Sequence, residues 1–514
     1  MEFSQKDLQQ ISEHCLSVSQ IEKQVENFIK GFPFVNLEKP AVIGDGMLRI
    51  DEDKISTYIE SFEKYAENSS ILKFVPASGA ATRMFKDLYD FKSTYNAESG
   101  KLDDYPSVKQ VLENIKQFAF YGHLQSLGVD KLLEDKNYLD VINLILEDCG
   151  LGYGQSPKAV ILFHKYENQV RTAFEEHLVE AAEYCVNKDR QVRLHFTISE
   201  NHRDKFSKLL DEVRNEYENT YNCKYDIGFS YQKSSTDTVA VNKDNTLARD
   251  ENDNLIFRPA GHGALIENLN EIDADIVFIK NIDNVIHDKF KESTYKYKKL
   301  LAGILVWLKG KIDSFLNILN TQNYNDINIA EISKFCVEIL ALDVRKVEDF
   351  ENKLAYRDYL LALLDRPIRV CGMVKNENQP GGGPFWVRGD NDEVSLQIVE
   401  SAQVDMKNDS QKNIFNQSTH FNPVDLVCSV KNFRGEKFDL TKFVDYQTGF
   451  ITEKTQQSQS LKVQELPGLW NGSMANWISV FVEIPLDTFT PVKVLNNLLD
   501  KGHNPDISSN YSII

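Results

Sequence analysis

The chain has 514 residues and a formal net charge of −19, from 58 Lys and Arg against 77 Asp and Glu. So acidic a chain lacks the basic footprint of a general nucleic-acid-binding protein, and without a run of 18 apolar residues it is not expected to span a membrane. Its length predicts a large α/β domain with insertions, or two to three domains. The seven cysteines lack CxxC spacing and the N-terminus is polar, which together predict free thiols in a cytoplasmic protein.

In chain order, the first predicted elements are helices. Apolar residues recur at helical spacing over 5–31 and 51–68, which predicts a helical cap ahead of the first strand. Strands are predicted at 71–75, 158–163, 192–199, 225–233 and 274–283, with helical patterns between them. Strands that alternate with helices predict a mainly parallel sheet, and ligands bind such sheets outside the carboxyl ends of the strands.

The alternation stops at residues 290–367, whose periodicity is helical throughout. We interpret this stretch as a helical insertion, because β-like runs return after Arg369. The C-terminal part also contains glycine- and aromatic-rich stretches at 380–387 and 467–477. Consecutive glycines beside aromatic residues indicate either close backbone approach to a ligand or turns that support a β layer.

The loop after the first strand is the most informative segment. Residues 76–81 have almost no side-chain bulk, and Thr82, Arg83 and Lys86 follow before a helical pattern. A strand that runs into such a loop and then a helix can aim backbone N–H groups at a phosphate. Arg83 and Lys86 would add positive charge there. The same pattern also fits a tight strand-to-helix turn without a ligand.

Two later segments also carry candidate site residues. His262 lies between two glycines, which permit close backbone approach to a flat ligand or a sharp turn. Asp283 follows a strongly apolar predicted strand. Aspartate at a strand end is a common Mg²⁺ ligand in phosphoryl-transfer sites, although a turn or N-cap role is commoner for any single aspartate.

Taken in order, these segments resemble the UDP-sugar pyrophosphorylases, the eukaryotic-type uridylyltransferases that act on sugar 1-phosphates. The segment ASGAATRM is similar to their signature AGGxGTRL, and Gly79, Thr82 and Arg83 match it. Ser78 and Ala81 stand where the signature has glycines. The chain looks like a member of an uncharacterised bacterial family related to these enzymes.

Further matches follow in the order of that family. LHFTISENHRDKF resembles its strand and turn that begin MTS, and Gln232 in FSYQK matches the glutamine that reads the uracil edge. Gly261–Gly263 in RPAGHGAL match a nucleotide-contacting triplet, and Asp283 in IKNIDNV matches the metal-binding aspartate. Lys493 in TFTPVKVLNNL matches a phosphate-contacting lysine. The helical block over 290–367 has no counterpart.

The resemblance implies a Rossmann-like, GT-A-like three-layer sandwich with a mixed, mainly parallel sheet. It divides the chain into an N-terminal helical region (1–70), a nucleotide-binding part of the core (71–290), a helical insertion (291–370) and a sugar-binding C-terminal part (371–514). The resemblance implies that the nucleotide is bound by Ala77, Ser78, Gly79, Ala80, Ala81, Thr82, Gln232, Gly261, His262 and Gly263. It implies that the sugar is bound by Gly382, Gly383 and Asn422. It also implies that Asp283 binds Mg²⁺ and that Arg83, Lys86 and Lys493 are catalytic.

The implied reaction joins a nucleoside triphosphate and a sugar 1-phosphate into a nucleotide sugar, a UDP-sugar by preference, with release of pyrophosphate and with Mg²⁺ as cofactor. Two alternatives stay open at this point. A glycosyltransferase would use the same nucleotide pocket. A non-catalytic nucleotide-sugar-binding scaffold would account for the altered loop glycines. The sequence leaves the sugar, the base and the oligomeric state open.

Overall fold

The computed structural model describes residues 2–79, 81–96, 100–321, 325–377, 379, 381–389, 392–456 and 459–506. Helices and strands alternate along most of this chain. The chain divides into two compact units. Unit 1 comprises Met1–Tyr65, Ser230–Ile279 and Leu300–Ile484, and unit 2 comprises Ala66–Phe229, Lys280–Lys299 and Pro485–Ile514. The four sequence segments given above stay a prediction of the domain organisation.

The described α-helices are α1 (Gln5–Glu13), α2 (Val18–Lys30), α3 (Glu52–Ala66), α4 (Lys86–Thr94), α5 (Pro106–Glu113), α6 (Tyr121–Ser126), α7 (Val129–Glu134), α8 (Tyr138–Leu146), α9 (Ala173–Tyr184), α10 (Arg203–Tyr221), α11 (Leu265–Glu271), α12 (Lys291–Asn320), α13 (Asp326–Glu338), α14 (Lys353–Leu364) and α15 (Asp409–Asn416).

The described strands are β1 (Asn36–Pro40), β2 (Val42–Ile43), β3 (Gly46–Leu48), β4 (Ile71–Pro76), β5 (Leu162–Lys165), β6 (Val170–Thr172), β7 (Gln191–Ile198), β8 (Lys224–Tyr231), β9 (Thr238–Val239), β10 (Phe257–Arg258), β11 (Ile276–Lys280), β12 (Ile368–Lys375), β13 (Gly383–Arg388), β14 (Val394–Val399), β15 (His420–Phe421), β16 (Asp425–Ser429), β17 (Phe450–Gln456), β18 (Gln459–Glu465) and β19 (Ile478–Glu483).

In unit 1 the main sheet has the strand order β2-β3-β19-β12-β16-β11. The pairs β2–β3, β3–β19 and β19–β12 are parallel, whereas β12–β16 is antiparallel. A second, antiparallel sheet has the order β1-β13-β14. In unit 2 the order is β4-β7-β8, and β4 and β7 are parallel. The prediction of a mixed, mainly parallel α/β fold is therefore confirmed.

Most predicted elements occur where the periodicity placed them. The helices expected over 5–31 and 51–68 are α1, α2 and α3, and residues 291–364 contain α12, α13 and α14. Three short strands over 36–48, of five, two and three residues, were not predicted, because segments this short show no clear period. The strand predicted at 158–163 is wrong at its start: Lys158–Val160 form a 3₁₀ turn after Pro157, and β5 begins at Leu162.

The core of unit 2 contains a charged triad of two lysines and one glutamate. Glu180 of α9 is fully buried and accepts a hydrogen bond from Lys73 of β4 and one from Lys280 at the end of β11, both 2.8 Å long. Burial lowers the pKa of Lys73 to about 7. Burial opposes ionisation of Glu180, but Lys280 and Lys73 outweigh it and hold its pKa well below the ordinary value. Within unit 2 the triad therefore anchors Lys73 of β4 and Lys280, three residues before Asp283, to α9.

Candidate functional site

The small-residue loop of unit 2 leaves β4 at its carboxyl end. The amide of Ala77 donates to Thr197 O of β7 (2.8 Å), and the amide of Ala81 donates to Ser156 O (3.2 Å). These two amides are therefore engaged within the protein. An ideal Cβ at Gly79 would meet no described heavy atom within 4 Å, so the loop is open at this residue.

The other residues predicted in this loop are mostly exposed. Ser78 is half-buried, while Thr82 and Arg83 lie on the surface in the 3₁₀ turn Ala81–Arg83. Ala80, which was predicted to bind the nucleotide, lies outside the described residues. The roles of these residues toward a nucleotide stay predictions.

Asp283 forms a carboxylate–lysine cluster with Lys158 and Lys493 in unit 2. Its Oδ2 accepts a hydrogen bond from Lys158 Nζ (2.9 Å) and one from Lys493 Nζ (3.1 Å). Lys158 also donates to Val492 O (2.8 Å). The exposed fraction of the side chain is 9% for Asp283, 13% for Lys158 and 56% for Lys493. Burial disfavours the charged carboxylate, but Lys493 and Lys158 outweigh burial and lower the pKa of Asp283, so it is ionised at neutral pH.

Backbone hydrogen bonds join the loop to all three segments that carry this cluster. They are Ile282 N to Pro76 O (3.4 Å), Ala81 N to Ser156 O (3.2 Å) and Leu495 N to Met84 O (3.1 Å). Ile282 directly precedes Asp283, Ser156 lies two residues before Lys158, and Leu495 lies two residues after Lys493. The open loop and the charged cluster therefore form one site within unit 2.

Lys158 is the residue of this cluster that the sequence interpretation missed. The second catalytic lysine was assigned to Lys86, which is the exposed first residue of α4; that assignment stays a prediction. The structure instead places Lys158 beside Asp283. The sequence feature that could have indicated Lys158 is its position directly after Pro157, at the start of an apolar run. A turn that begins at a proline can direct the next side chain away from the strand.

The fit of Mg²⁺ to this site depends on its oxygen donors. Mg²⁺ commonly takes one or two carboxylates and fills its remaining positions with water and substrate phosphate oxygens. Within the described ranges, no group of three or more His, Cys, Asp or Glu side chains is placed to hold a metal ion. The ionised Asp283 fits as a single protein ligand, provided that phosphates supply further oxygens. Its Oδ2 is shared by two ammonium groups, which compete with any cation for that atom.

The residues predicted to read the base lie in unit 1. Gln232 follows β8, and its buried Nε2 has no hydrogen-bond partner among the described residues. Asn268 of α11 donates to Tyr231 O (2.7 Å), which links the Gln232 segment to the helix that follows the glycine-flanked turn. Base reading by Gln232 stays a prediction.

The glycine-flanked turn is explained in large part by packing inside unit 1. Gly261 has φ +78°, a conformation that favours glycine. An ideal Cβ at Gly263 would lie 2.1 Å from Pro467 O, so only glycine fits there. His262 stacks on Trp470 with ring centroids 4.2 Å apart, and its Nδ1 accepts from Leu469 N. Contact of this turn with a nucleotide stays a prediction.

The three predicted sugar-binding residues lie together in unit 1. The amide of Asn422 donates to Gly382 O (2.8 Å), and its Nδ2 donates to Gly372 O (2.8 Å). The Oδ1 of Asn422 accepts from Val424 N (3.0 Å), so the buried side chain is engaged within the protein. An ideal Cβ at Gly383 would crowd Phe385, which accounts for that glycine by packing. Their contact with a sugar stays a prediction.

The fold is thus mixed α/β, and its candidate site joins an open small-residue loop to a carboxylate–lysine cluster. The chain belongs to the family described as "Domain of unknown function (DUF4301)", whose model matches residues 4–504. No curated protein matches the chain. Of the helices in the described ranges, none is long and apolar enough to cross a membrane; the cytoplasmic location stays a prediction.

Several solved structures are similar to this chain at low identity. A UDP-N-acetylglucosamine pyrophosphorylase from Trypanosoma brucei is 10% identical with a TM-score of 0.47, over 96% of this chain and 79% of that one. The UDP-glucose pyrophosphorylase from Leishmania major is 12% identical with a TM-score of 0.43, over 97% and 79%. A UDP-glucose phosphorylase from Trypanosoma brucei is 13% identical with a TM-score of 0.44, over 96% and 77%. All three scores lie below 0.5.

Proposed function

We propose that this protein is a nucleotidyltransferase that forms a nucleotide sugar and pyrophosphate from a nucleoside triphosphate and a sugar 1-phosphate, with UTP as the preferred nucleotide. The observation that carries the proposal is the cluster of Asp283, Lys158 and Lys493 beside the open loop at Gly79. The motif resemblance described above supports the same reaction and a GT-A-like course of the chain.

The reaction places its main demands on position and charge. An oxygen of the sugar phosphate attacks the α-phosphorus of the triphosphate, the bond from that phosphorus to the bridging oxygen breaks, and pyrophosphate leaves. Because both reactants are anions, catalysis needs in-line alignment and cations near the phosphates, with little covalent chemistry from the protein.

The residues of unit 2 meet these demands in different ways. The loop around Gly79 leaves room for a phosphate chain, and Arg83 stands exposed at its end. Lys493 is more than half exposed, so it can leave Asp283 and bind a phosphate oxygen, whereas the nearly buried Lys158 is held in place by Val492 O. Mg²⁺, when bound, neutralises phosphate oxygens as a Lewis acid. Asp283 would be its protein ligand.

The proposal is tested with the purified full chain and Mg²⁺. Pyrophosphate release is measured with each of the four common ribonucleoside triphosphates against glucose 1-phosphate and N-acetylglucosamine 1-phosphate. We expect turnover, with a preference for UTP. The variants Lys158→Gln, Lys493→Gln and Asp283→Asn should each lose about 10²- to 10³-fold in kcat/KM, the usual effect of removing one group that stabilises transition-state charge.

A matched control is Lys208→Gln, which removes a lysine that is 80% exposed on α10 of the same unit. It should leave kcat/KM unchanged. If the chain binds a nucleotide sugar but neither releases nor exchanges pyrophosphate, the binding-scaffold alternative holds instead. Full activity of Asp283→Asn would show that the cluster is not the reaction site.

A further inference from the structure

Unit 2 contains a chain of hydrogen bonds through two buried histidines that the proposed reaction does not use. Nε2 of His164 in β5 lies 2.8 Å from Nδ1 of His503, and the two rings are stacked with their centroids 5.1 Å apart. Nδ1 of His164 lies 2.8 Å from Oε1 of Glu176 in α9, which is also buried. These contacts join β5 and α9 to the segment 485–506, which carries both His503 and Lys493.

The first proton of this chain is fixed by Glu176. Burial opposes ionisation of this carboxyl, but Lys291 and the other nearby cations outweigh burial and hold its pKa well below the ordinary value. Lys291 Nζ donates to its Oε2, and the hydroxyl of Tyr166 donates to its Oε1 (2.7 Å). An ionised carboxylate can only accept hydrogen bonds. Nδ1 of His164 therefore carries a proton, and its Nε2 is left to pair with His503.

The contact between the two rings needs one proton and one lone pair. If both facing nitrogens are protonated, two N–H groups and two positive charges meet in a buried place, and the contact is lost. Burial and the neighbouring His164 hold the pKa of the docked His503 well below its ordinary value. A released His503 would take up a proton with a pKa of about 6.5. Because the released state binds more protons than the docked state, acid favours release.

The other titratable groups of this cluster are already engaged with one another. Nε2 of His287 donates to Lys165 O (3.2 Å) and its Nδ1 accepts from Lys289 N (3.2 Å), so this ring is neutral and pairs with neither of the other two histidines. Burial, followed by His164, lowers the pKa of His287. The remaining groups, which form ion pairs and hydrogen bonds among themselves, are Tyr166, Arg171, Glu176, Asp288 and Lys291.

Hydrogen bonds continue from His503 to Lys493 along the same segment. The amide of His503 donates to Asp500 O (2.9 Å), and Asn497 Nδ2 donates to the Asp500 carboxylate (3.0 Å). Asn497 Oδ1 in turn accepts from the amide of Lys493 (3.0 Å), whose Nζ donates to Asp283 (3.1 Å). The docking of His503 therefore helps to fix the backbone that presents Lys493.

We propose that His164 and His503 form an acid-sensitive latch, in which one proton between their rings holds the segment 485–506 at neutral pH and uptake of a second proton in mild acid releases it. The latch is a conformational property of unit 2 and is tested without any substrate. Only its consequence for catalysis, a loosened Lys493 in mild acid, rests on the proposed function.

The test is hydrogen exchange of the full chain between pH 7.5 and pH 5.0, corrected for the intrinsic pH dependence of amide exchange. We expect exchange in peptides covering 486–506 to rise by about tenfold for each pH unit below about 6.5, hence about 30-fold at pH 5.0. Peptides of α10, in the same unit, should change by less than about threefold. No rise in 486–506, or an equal rise in α10 through general acid unfolding, would overturn the proposal.

Variants of His503 separate the latch from other acid effects. The amide of His503→Gln can donate to or accept from His164 without titrating, so the segment should stay protected and lose its acid response. His503→Phe keeps a ring without the hydrogen bond, so exchange should already be about tenfold faster than wild type at pH 7.5 and stay so at pH 5.0.

The matched control is His123→Gln, which removes an exposed histidine of α6 in the same unit and should keep the wild-type acid response. His503→Phe decides the question even if His503→Gln does not fold. Wild-type protection of the segment in His503→Phe at pH 7.5, or a full acid response in either His503 variant, would overturn the latch.

Discussion

Lys158 and Lys493 bind the same oxygen of Asp283, yet their removal should have very different consequences for stability. In Lys158→Met, a carboxylate that is 9% exposed keeps only a partner that is 56% exposed, and the carbonyl of Val492 loses its donor. Removing one partner of a buried ion pair costs about 3–5 kcal/mol. In Lys493→Met the pair of Lys158 and Asp283 stays intact, so loss of the half-exposed Lys493 should cost about 1 kcal/mol at most.

The loss of stability has to be measured for unit 2 separately from unit 1. All four tryptophans lie in unit 1, so tryptophan fluorescence reports on that unit. Hydrogen exchange of the peptides around 155–165, 280–290 and 488–500 reports directly on the cluster. We expect Lys158→Met to speed exchange there by about 10²-fold or more, and Lys493→Met by about fivefold or less, because about 1.4 kcal/mol of opening free energy corresponds to a factor of ten.

The double variant Lys158→Met with Asp283→Asn tests the cause of this difference. It removes both buried charges and should recover part of the protection lost in Lys158→Met, since contacting residues couple in such cycles. Lys208→Met, on the exposed face of α10, is the matched control and should exchange like the wild type. If Lys493→Met loosens these peptides as much as Lys158→Met does, the argument from the buried charge is refuted.

Two further predictions concern the loop and the buried triad. Gly79→Ala should leave the melting temperature within about 1 °C of the wild type, because no described atom lies within 4 Å of the added Cβ. The added methyl group should nevertheless weaken UTP binding, measured by calorimetry, because it occupies the space proposed for the phosphates. Unchanged affinity would contradict a phosphate role for the loop. Burial lowers the pKa of Lys73 from 10.5 to about 7, so between these pH values the unfolded chain binds more protons than the native chain. The free energy of unfolding of the wild type, relative to that of Lys73→Met, should therefore rise with pH. The rise should be at most about 1.4 kcal/mol per pH unit. Urea unfolding at pH 7, 8 and 9 measures this difference, and a flat difference would contradict the lowered pKa.

The order of the main elements follows from local patterns. Apolar runs of strand length and helical spacing are properties of neighbouring residues, which is why β4, β7, β8 and β11 lie close to their predicted positions. The two-residue strand β2 and the three-residue strand β3 exist only because the sheet of unit 1 offers them partners, so no local pattern could reveal them.

Side-chain partners were predictable only where a motif carried them. Lys493 and Asp283 came from the motif resemblance, and they meet although 210 residues separate them. Lys158 belongs to no motif of the resemblance. It lies in a 3₁₀ turn after Pro157, and the apolar pattern of this segment predicted the start of a strand there. The same limit applies to Arg369, since nothing in a sequence marks one arginine among many as fully buried.

The function classes left open by the sequence place different demands on Asp283. A protein that only bound phosphates would be better served by Lys158 and Lys493 alone, because a carboxylate that shares one oxygen with both of them competes with the phosphate for their charge. An ionised carboxylate is useful there when a divalent cation has to be held against phosphates during transfer. The altered loop residues Ser78 and Ala81 do not argue against this reading, since neither has positive φ and neither side chain strains the backbone. The proposed nucleotidyl transfer would use both the cluster and the loop, whereas binding of phosphates without a divalent cation would leave the carboxylate unexplained.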